Sequence, residues 1–308
     1  MKVGFIGLGT MGASIALNAI KGQNSLVVHD INRNAADPHL DIGANWADSP
    51  KAVAAQSDVV FTSLPGPAEV EAVALGENGL VKGFTPGSAY FDLSTNSPTV
   101  MRRLNAEMKK HGIEVLDAPV SGGPDGAKSG KMAIWVGGDK ATFDKYKPVL
   151  DSMGDAARYI GPIGAGSIAK LVHNLSGYIL GTALAETFSM GVKAGLEPDA
   201  LWEAVRQGAL GRRRTFDTMH RNYLPQDFDP PNFALQLARK DVALACELGR
   251  EYDVPMKLAH LTLAEMTEAI NRGWGHRDSR VAMMIQNERA GVDIKIDPAR
   301  LKEIIDQD

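Results

Sequence analysis

Hydrophobic and polar positions in the first half of the chain follow two alternating periods. Short apolar runs stand at Val3-Gly4-Phe5-Ile6, Leu26-Val27-Val28-His29, Asp58-Val59-Val60-Phe61-Thr62, Ala89-Tyr90-Phe91-Asp92, Glu114-Val115-Leu116 and Ala133-Ile134-Trp135-Val136. Each has the length of a strand, and most are bounded by turn-forming residues, so they read as buried strands. Between them, apolar residues recur at helical spacing and predict helices over 11–21, 49–56, 67–75, 97–111 and 140–153. Alternation of strand and helix is the mark of βαβ units under a parallel sheet.

The pattern changes at Gly161-Pro162-Ile163-Gly164. Beyond this cluster of turn formers the strand-length runs stop and the helical period takes over. Residues 164–194 predict one helix of roughly 45 Å at about 1.5 Å per residue, and 198–208, 233–252 and 255–273 continue the series. The expected architecture is an α/β Rossmann-type dinucleotide-binding domain over 1–162. An all-α domain over 163–308 for substrate and subunit contacts follows, joined to it by the long helix. A length of 308 residues fits two domains.

Composition narrows the function classes. The charges, 33 Lys+Arg against 37 Asp+Glu, leave a net of −4 with no basic half, which argues against nucleic acid as the main partner. Cys246, alone, forms no internal disulfide and no multi-thiolate metal site, and no metal is expected. The opening MKVGFIGLGTMG lacks a basic n-region and an apolar h-region, and the apolar stretch 171–185 is too short for a membrane span and carries His173 and Asn174. A cytoplasmic protein without a membrane partner is expected.

Gly7-Leu8-Gly9-Thr10-Met11-Gly12 is a GxGxxG that follows a predicted strand and opens a predicted helix. In that setting the first glycine permits the tight turn, the second admits a pyrophosphate, and the third lets helix and strand pack closely. Asp30 ends the second strand, where a carboxylate accepts the ribose hydroxyls of NAD and repels a 2′-phosphate. Arg33, three residues on, is the residue that would instead pair with the phosphate of NADP. NAD is therefore the expected cofactor.

A second polar cluster, Asp117-Ala118-Pro119-Val120-Ser121-Gly122-Gly123, ends another predicted strand. A Ser hydroxyl followed by two glycine amides makes a small anion-binding concavity suited to a substrate carboxylate. Taken alone, the segment reads first as an ordinary Ser-Gly-Gly turn leaving a strand. The long helix carries Lys170 and Asn174 four residues apart on one face, with Gly166, Gly177 and Gly181 beside them. The flanks Ile168-Ala169 and Leu171-Val172 are too apolar for an exposed face, and burial would bring Lys170 into the range useful for proton transfer. Lys240-Asp241 interrupts a further apolar stripe, with Asp241 read as the partner of a nearby cation and Lys240 as a second charge near the site.

Together these segments resemble the β-hydroxyacid dehydrogenase family, which includes 3-hydroxyisobutyrate dehydrogenases and the tartronate and succinic semialdehyde reductases. Gly4 to Gly12 is similar to the family's cofactor signature, Asp117 to Gly123 to its substrate motif, Gly161 to Asn174 to GxxGxGxxxKxxxN, and Lys240 to Ala245 to KDxxLA. The resemblance implies that Lys170 is the general acid/base and that Asn174 orients the substrate. It further implies that Ser121, Gly122 and Gly123 hold a carboxylate, and that Lys240 contacts substrate or cofactor. It also implies cofactor contacts at Leu8, Thr10, Met11, Leu64-Pro65 and Thr95, besides the glycines, Asp30 and Arg33. Two departures stand out. His173 replaces a second Asn, and Arg212-Arg213-Arg214 reads first as a solvated helix C-terminus or loop, with a reader of a second acidic group as the alternative.

The function implied is reversible, NAD-dependent oxidation of a short 3-hydroxyacid to its semialdehyde. Reduction of a small aldehyde acid is the nearest alternative, and a catalytically silent NAD-binding protein is the alternative from another class. A silent chain would be free to lose Lys170, Asn174 and Ser121, which are all present. The apolar faces of the helical half imply a homodimer or homotetramer.

Overall fold

The computed structural model describes residues 1–22, 25–193, 195–208, 211–213, 219–251 and 256–306. Its chain divides into two compact units, Met1–Val172 and His173–Asp308.

Unit 1 is built on a nine-stranded sheet: β1 (Lys2–Ile6), β2 (Ser25–His29), β3 (Asn45–Trp46), β4 (Val59–Thr62), β5 (Ala89–Asp92), β6 (Glu114–Asp117), β7 (Val120–Ser121), β8 (Ala133–Gly137) and β9 (Ala156–Gly161). The order is β3-β2-β1-β4-β5-β6-β8-β7, with β9 on the other edge of β8. Strands β1 to β6 are parallel, whereas β8 runs antiparallel to β6 and β7. The chain winds outward from β1 through β2 and β3 and then returns to β4 on its other side. That reversal falls between β1 and β4, and the carboxyl ends of strands at such a point are the standard ligand position in open α/β sheets.

Helices α1 (Gly12–Lys21), α2 (Asp37–Leu40), α3 (Pro50–Ala54), α4 (Pro67–Leu75), α5 (Pro98–Lys109), α6 (Gly123–Ser129) and α7 (Lys140–Met153) connect the strands. The central strands β1, β4 and β5 are largely apolar because both faces are covered. Successive side chains of β1 go to opposite faces, so Val3 and Phe5 join one core and Ile6 the other. In the first core Phe61 stacks on Phe91 at 5.1 Å and Tyr146 meets Phe91 edge-on at 5.9 Å. Burying side chains of this size contributes about 1.5–3 kcal/mol each.

Helix α8 (Ala165–Lys193) begins in unit 1 and runs past the boundary. Unit 2 adds α9 (Pro198–Gln207), α10 (Leu235–Glu251), α11 (Lys257–Ala269), α12 (Met284–Ala290) and α13 (Pro298–Asp306). Its core gathers Trp202, Tyr223, Leu224, Ile294 and Leu301 around the far end of α8 at Leu184 and Phe188.

The fold is the expected one, with differences of detail. The helix expected over 49–56 is Pro50–Ala54, started by Ser49 Oγ accepting the Ala52 amide at 3.2 Å. The helix expected to reach 273 ends at Ala269, and the following turn closes with Gly273 in the left-handed region at φ 84°. Strand β9 escapes the apolar-run criterion because it is an edge strand with partly exposed positions.

Candidate functional site

The glycine loop between β1 and α1 has the geometry that its sequence requires. Gly7 sits at φ 93°, a left-handed position that favours glycine. A Cβ on Gly12 would lie 1.9 Å from the Gly7 carbonyl oxygen, so only glycine lets α1 start this close to β1. Gly9 differs, because a Cβ there would meet nothing within 4 Å. The loop is closed against the protein at Gly7 and Gly12 and open at Gly9, with Thr10 exposed, Met11 half-buried and Leu8 buried.

Asp30 is tied to this loop. Its Oδ2 accepts the Leu8 amide at 2.6 Å and its Oδ1 the Asn32 amide at 2.8 Å. Arg33 is exposed, lies over the Trp46 ring at 4.5 Å and pairs with Asp37 at 3.3 Å. Loop, carboxylate and guanidinium thus gather at the carboxyl ends of β1 and β2.

Across the sheet, Thr62, Asp92, Asp117 and Gly137 form one row, because strand register pairs each with the next. Thr62 and Asp92 are fully buried and Asp117 nearly so. Asp92 Oδ1 accepts from Thr62 Oγ1 at 2.9 Å and from the Ser94 amide at 3.0 Å, and its Oδ2 accepts from Asn96 Nδ2 at 2.8 Å. Burial raises the Asp92 carboxyl above the ordinary range, against these hydrogen bonds. Ser94 Oγ in turn accepts the Leu64 amide at 2.9 Å. The loops carrying Leu64-Pro65 and Thr95 are therefore anchored to each other and to the buried row. The loops are legible in the sequence but the anchor is not, since it joins residues 30 positions apart.

Asp117 has the corresponding role on the neighbouring strand, β6. Its Oδ1 accepts the Gly164 amide at 2.6 Å and its Oδ2 the Ser167 amide at 2.5 Å, so it caps the first turn of α8. Burial, partly offset by these bonds, pushes its carboxyl up to about 6. Past Asp117 the chain enters β7 with Ser121, then Gly122 at φ 153° and Gly123 at φ 63°. A Cβ on Gly123 would meet nothing within 4 Å, which leaves its backbone open to approach.

Lys170 is half-buried on α8 and Asn174 follows four residues later, also half-buried. The apolar flanks do not all lie inside: Leu171 is 1% exposed, but Val172 is 58% exposed. Within unit 2, Asn174 Nδ2 donates to Asp241 Oδ2 at 2.6 Å. Asp241 is buried, and Lys240 Nζ pairs with its Oδ1 at 2.9 Å without the alignment of a hydrogen bond. Asn174 also lines a cavity of about 580 Å³ in unit 2, together with Gly177, Tyr178, Gly181, Ser279 and Arg280. Burial, with Asp241 nearby, holds the Tyr178 phenol well above its ordinary range. Arg212 is exposed and donates Nε to the Gln207 carbonyl at 2.9 Å, Arg213 closes the same turn, and Arg214 lies outside the described residues. Among the described residues, no group of His, Cys, Asp and Glu forms a metal site, and no helix is long and apolar enough to cross a membrane.

Residues 2–161 match the family model of the NAD-binding domain of 6-phosphogluconate dehydrogenase, and residues 164–286 match that of NADP-dependent 3-hydroxyisobutyrate dehydrogenase. The chain belongs to the β-hydroxyacid dehydrogenase family. It is an NAD(P)-dependent dehydrogenase acting on CH–OH groups. This β-hydroxyacid dehydrogenase is 32% identical to 2-(hydroxymethyl)glutarate dehydrogenase of Eubacterium barkeri, over 96% of this chain and 97% of that protein. It is also 32% identical to NAD-dependent L-serine dehydrogenase of Pseudomonas aeruginosa, over 94% of this chain and 99% of that one. The crystal structure of 3-hydroxyisobutyrate dehydrogenase from Salmonella typhimurium superposes with a TM-score of 0.81 at 30% identity, covering 92% of this chain and 99% of that one.

Proposed function

We propose that this dehydrogenase oxidises a short 3-hydroxyacid of the 3-hydroxyisobutyrate type to its semialdehyde, reversibly, with NAD as the preferred cofactor and Lys170 as general acid/base. The observation that carries the reading is the build of α8. Its first turn is fastened through Asp117 to the strand that leads into the Ser121-Gly122-Gly123 turn, and Lys170 and Asn174 follow on the same helix.

The bound nicotinamide supplies the hydride acceptor for oxidation and the donor for reduction. Gly7 to Gly12 would hold its pyrophosphate, Asp30 would take the ribose, and Leu64, Pro65 and Thr95 would border it. Ser121 with the amides of Gly122 and Gly123 fixes the substrate carboxylate. Neutral Lys170 accepts the hydroxyl proton during oxidation, and protonated Lys170 returns it to the carbonyl oxygen during reduction, so the two directions need opposite protonation states. Asn174, held by Asp241, orients the reacting oxygen, and Lys240 stands beside that pair.

Preference for NAD rests on Asp30, whose charge repels a 2′-phosphate. Arg33, stacked on Trp46, is the cation that favours the phosphate, and Asp30 is taken to outweigh it because Asp30 is bound to the loop itself. Leu180, Leu258 and Leu261 expose 36%, 57% and 56% of their surface on α8 and α11, which supports association of two subunits through the helical half. Light scattering after gel filtration tests that point, and a monomer at micromolar concentration contradicts it.

A steady-state panel tests the substrate assignment. The expected result is highest kcat/KM with a 3-hydroxymonocarboxylate and NAD. Preference for tartronate or succinic semialdehyde with reduced cofactor would assign the same residues to an aldehyde-acid reductase instead.

A further inference from the structure

We infer that Asp117 is a positioning residue for the reaction: its carboxylate, by binding the amides of Gly164 and Ser167, fixes the turn of α8 that leads to Lys170 onto the strand that leads to Ser121. The inference rests on Lys170 as the proton-transferring group and goes beyond that assignment by naming what places it.

Three observations support it. First, both oxygens of the carboxylate are used, one on each amide, at 2.6 and 2.5 Å, which is the short range of charge-assisted bonds. Second, the sheet is shaped to admit this contact. Gly137 faces Asp117 across the β6–β8 pair, and a Cβ there would come within 2.6 Å of Asp117 Oδ1. A Cβ on Gly166 would come within 2.3 Å of the Trp135 carbonyl oxygen and 2.7 Å of that of Asp117. Glycine at both points lets the start of α8 lie directly on the sheet.

Third, the charge is held at a cost. Burial raises the Asp117 carboxyl to about 6 in spite of two hydrogen bonds that favour ionisation. A group selected for stability alone would be neutral here. What the charged form gains is two amides fixed at once, and so a defined direction for the helix. Its charged surroundings are few. Asp92 is its register neighbour on β5, Arg102 of α5 reaches Gly164, and Lys170 is the first charged residue on α8. β8 brings Gly137 and no charge.

The test uses the full chain with NADH bound and reads both spectrum and kinetics. In the wild type, the backbone amide signals of Gly164 and Ser167 are expected to titrate together with the carboxyl that binds them, and in Asp117→Asn that shared titration is expected to be lost. Asp117→Asn keeps the wild-type Kd for NADH, while kcat falls by about ten- to a hundredfold, the scale associated with small misplacement of a reacting group. Gly137→Ala keeps the carboxyl group but forces a carbon against it and against the Pro162 carbonyl and the Ala165 amide, so the start of α8 must lift from the sheet. The same loss of kcat is expected, and this variant stands in if Asp117→Asn does not fold. Amides that do not titrate, or wild-type kcat in Gly137→Ala and in any folded Asp117→Asn, overturn the inference. Retained turnover in Lys170→Ala would instead defeat the assignment of Lys170, whereas the amide titration reads Asp117 alone.

Discussion

Asn174 on α8 and Asp241 on α10, 67 residues apart in sequence, are joined by a 2.6 Å hydrogen bond from Nδ2 to Oδ2. The carboxylate, paired on its other oxygen with Lys240, fixes which way the amide of Asn174 faces. A bond to a charged partner of this kind is worth about 1.5–3 kcal/mol. Asp241→Ala is therefore expected to lower kcat/KM by roughly ten- to a hundredfold, with NADH affinity unchanged. Steady-state kinetics with a cofactor titration checks it, and wild-type kcat/KM would mean that Asn174 is oriented by other contacts.

The glycines of the cofactor loop separate packing from binding. Gly12→Ala places a carbon 1.9 Å from the Gly7 carbonyl oxygen, so loss of several degrees of Tm is expected, and cofactor affinity falls with it. Gly9→Ala meets nothing within 4 Å and is expected to change Tm little while weakening NADH binding. Differential scanning calorimetry and a fluorescence titration give both numbers. Normal NADH affinity in Gly9→Ala would show that no ligand approaches there.

Asp30→Ala removes the carboxylate that accepts the Leu8 and Asn32 amides. The KM for NAD is expected to rise and the ratio of kcat/KM for NAD over NADP to fall, with Arg33 left to attract the 2′-phosphate. An unchanged ratio would move the discrimination from Asp30 to Arg33 or another residue.

Asp117 also sets a pH dependence of stability. Its folded carboxyl lies at about 6 against 3.8 for the ordinary group, so the folded state binds a proton more readily than the unfolded state. That contribution is fully present below about 3.8 and is lost as pH rises through about 6, a difference on the order of 3 kcal/mol. The wild type is thus expected to gain stability relative to Asp117→Asn on going from pH 7 to pH 4.5. Urea unfolding of both proteins at the two pH values measures it, and parallel behaviour would mean that Asp117 titrates normally.

How far the sequence reaches differs between fold and site. The strands at Val3 to Ile6, Val59 to Thr62 and Ala89 to Asp92 are legible because strands covered on both faces are largely apolar. The α1 turn is legible because close packing at Gly12 admits no side chain. The edge strand β9 is not, since its exposed positions carry no apolar run. The roles of Asp92 and Asp117 are equally hidden, as is the hold of Asp241 on Asn174, although its pairing with a cation is legible. Each acts on an amide or side chain brought to it by the fold, and an acidic residue at the end of a strand or inside a helix carries no sign of which partner it will meet. The mixed direction at β8 is hidden too, because β6 reaches β8 through the short β7 and helix α6 rather than through a long crossover.

Lys170→Ala tests the chemistry most directly. Turnover of the best hydroxyacid with NAD, measured beside the Kd for NADH, is expected to fall by at least about a hundredfold with the Kd unchanged, as for removal of a general acid/base. Turnover within a few-fold of wild type, with NADH bound normally, would contradict the assignment and move proton transfer to another group.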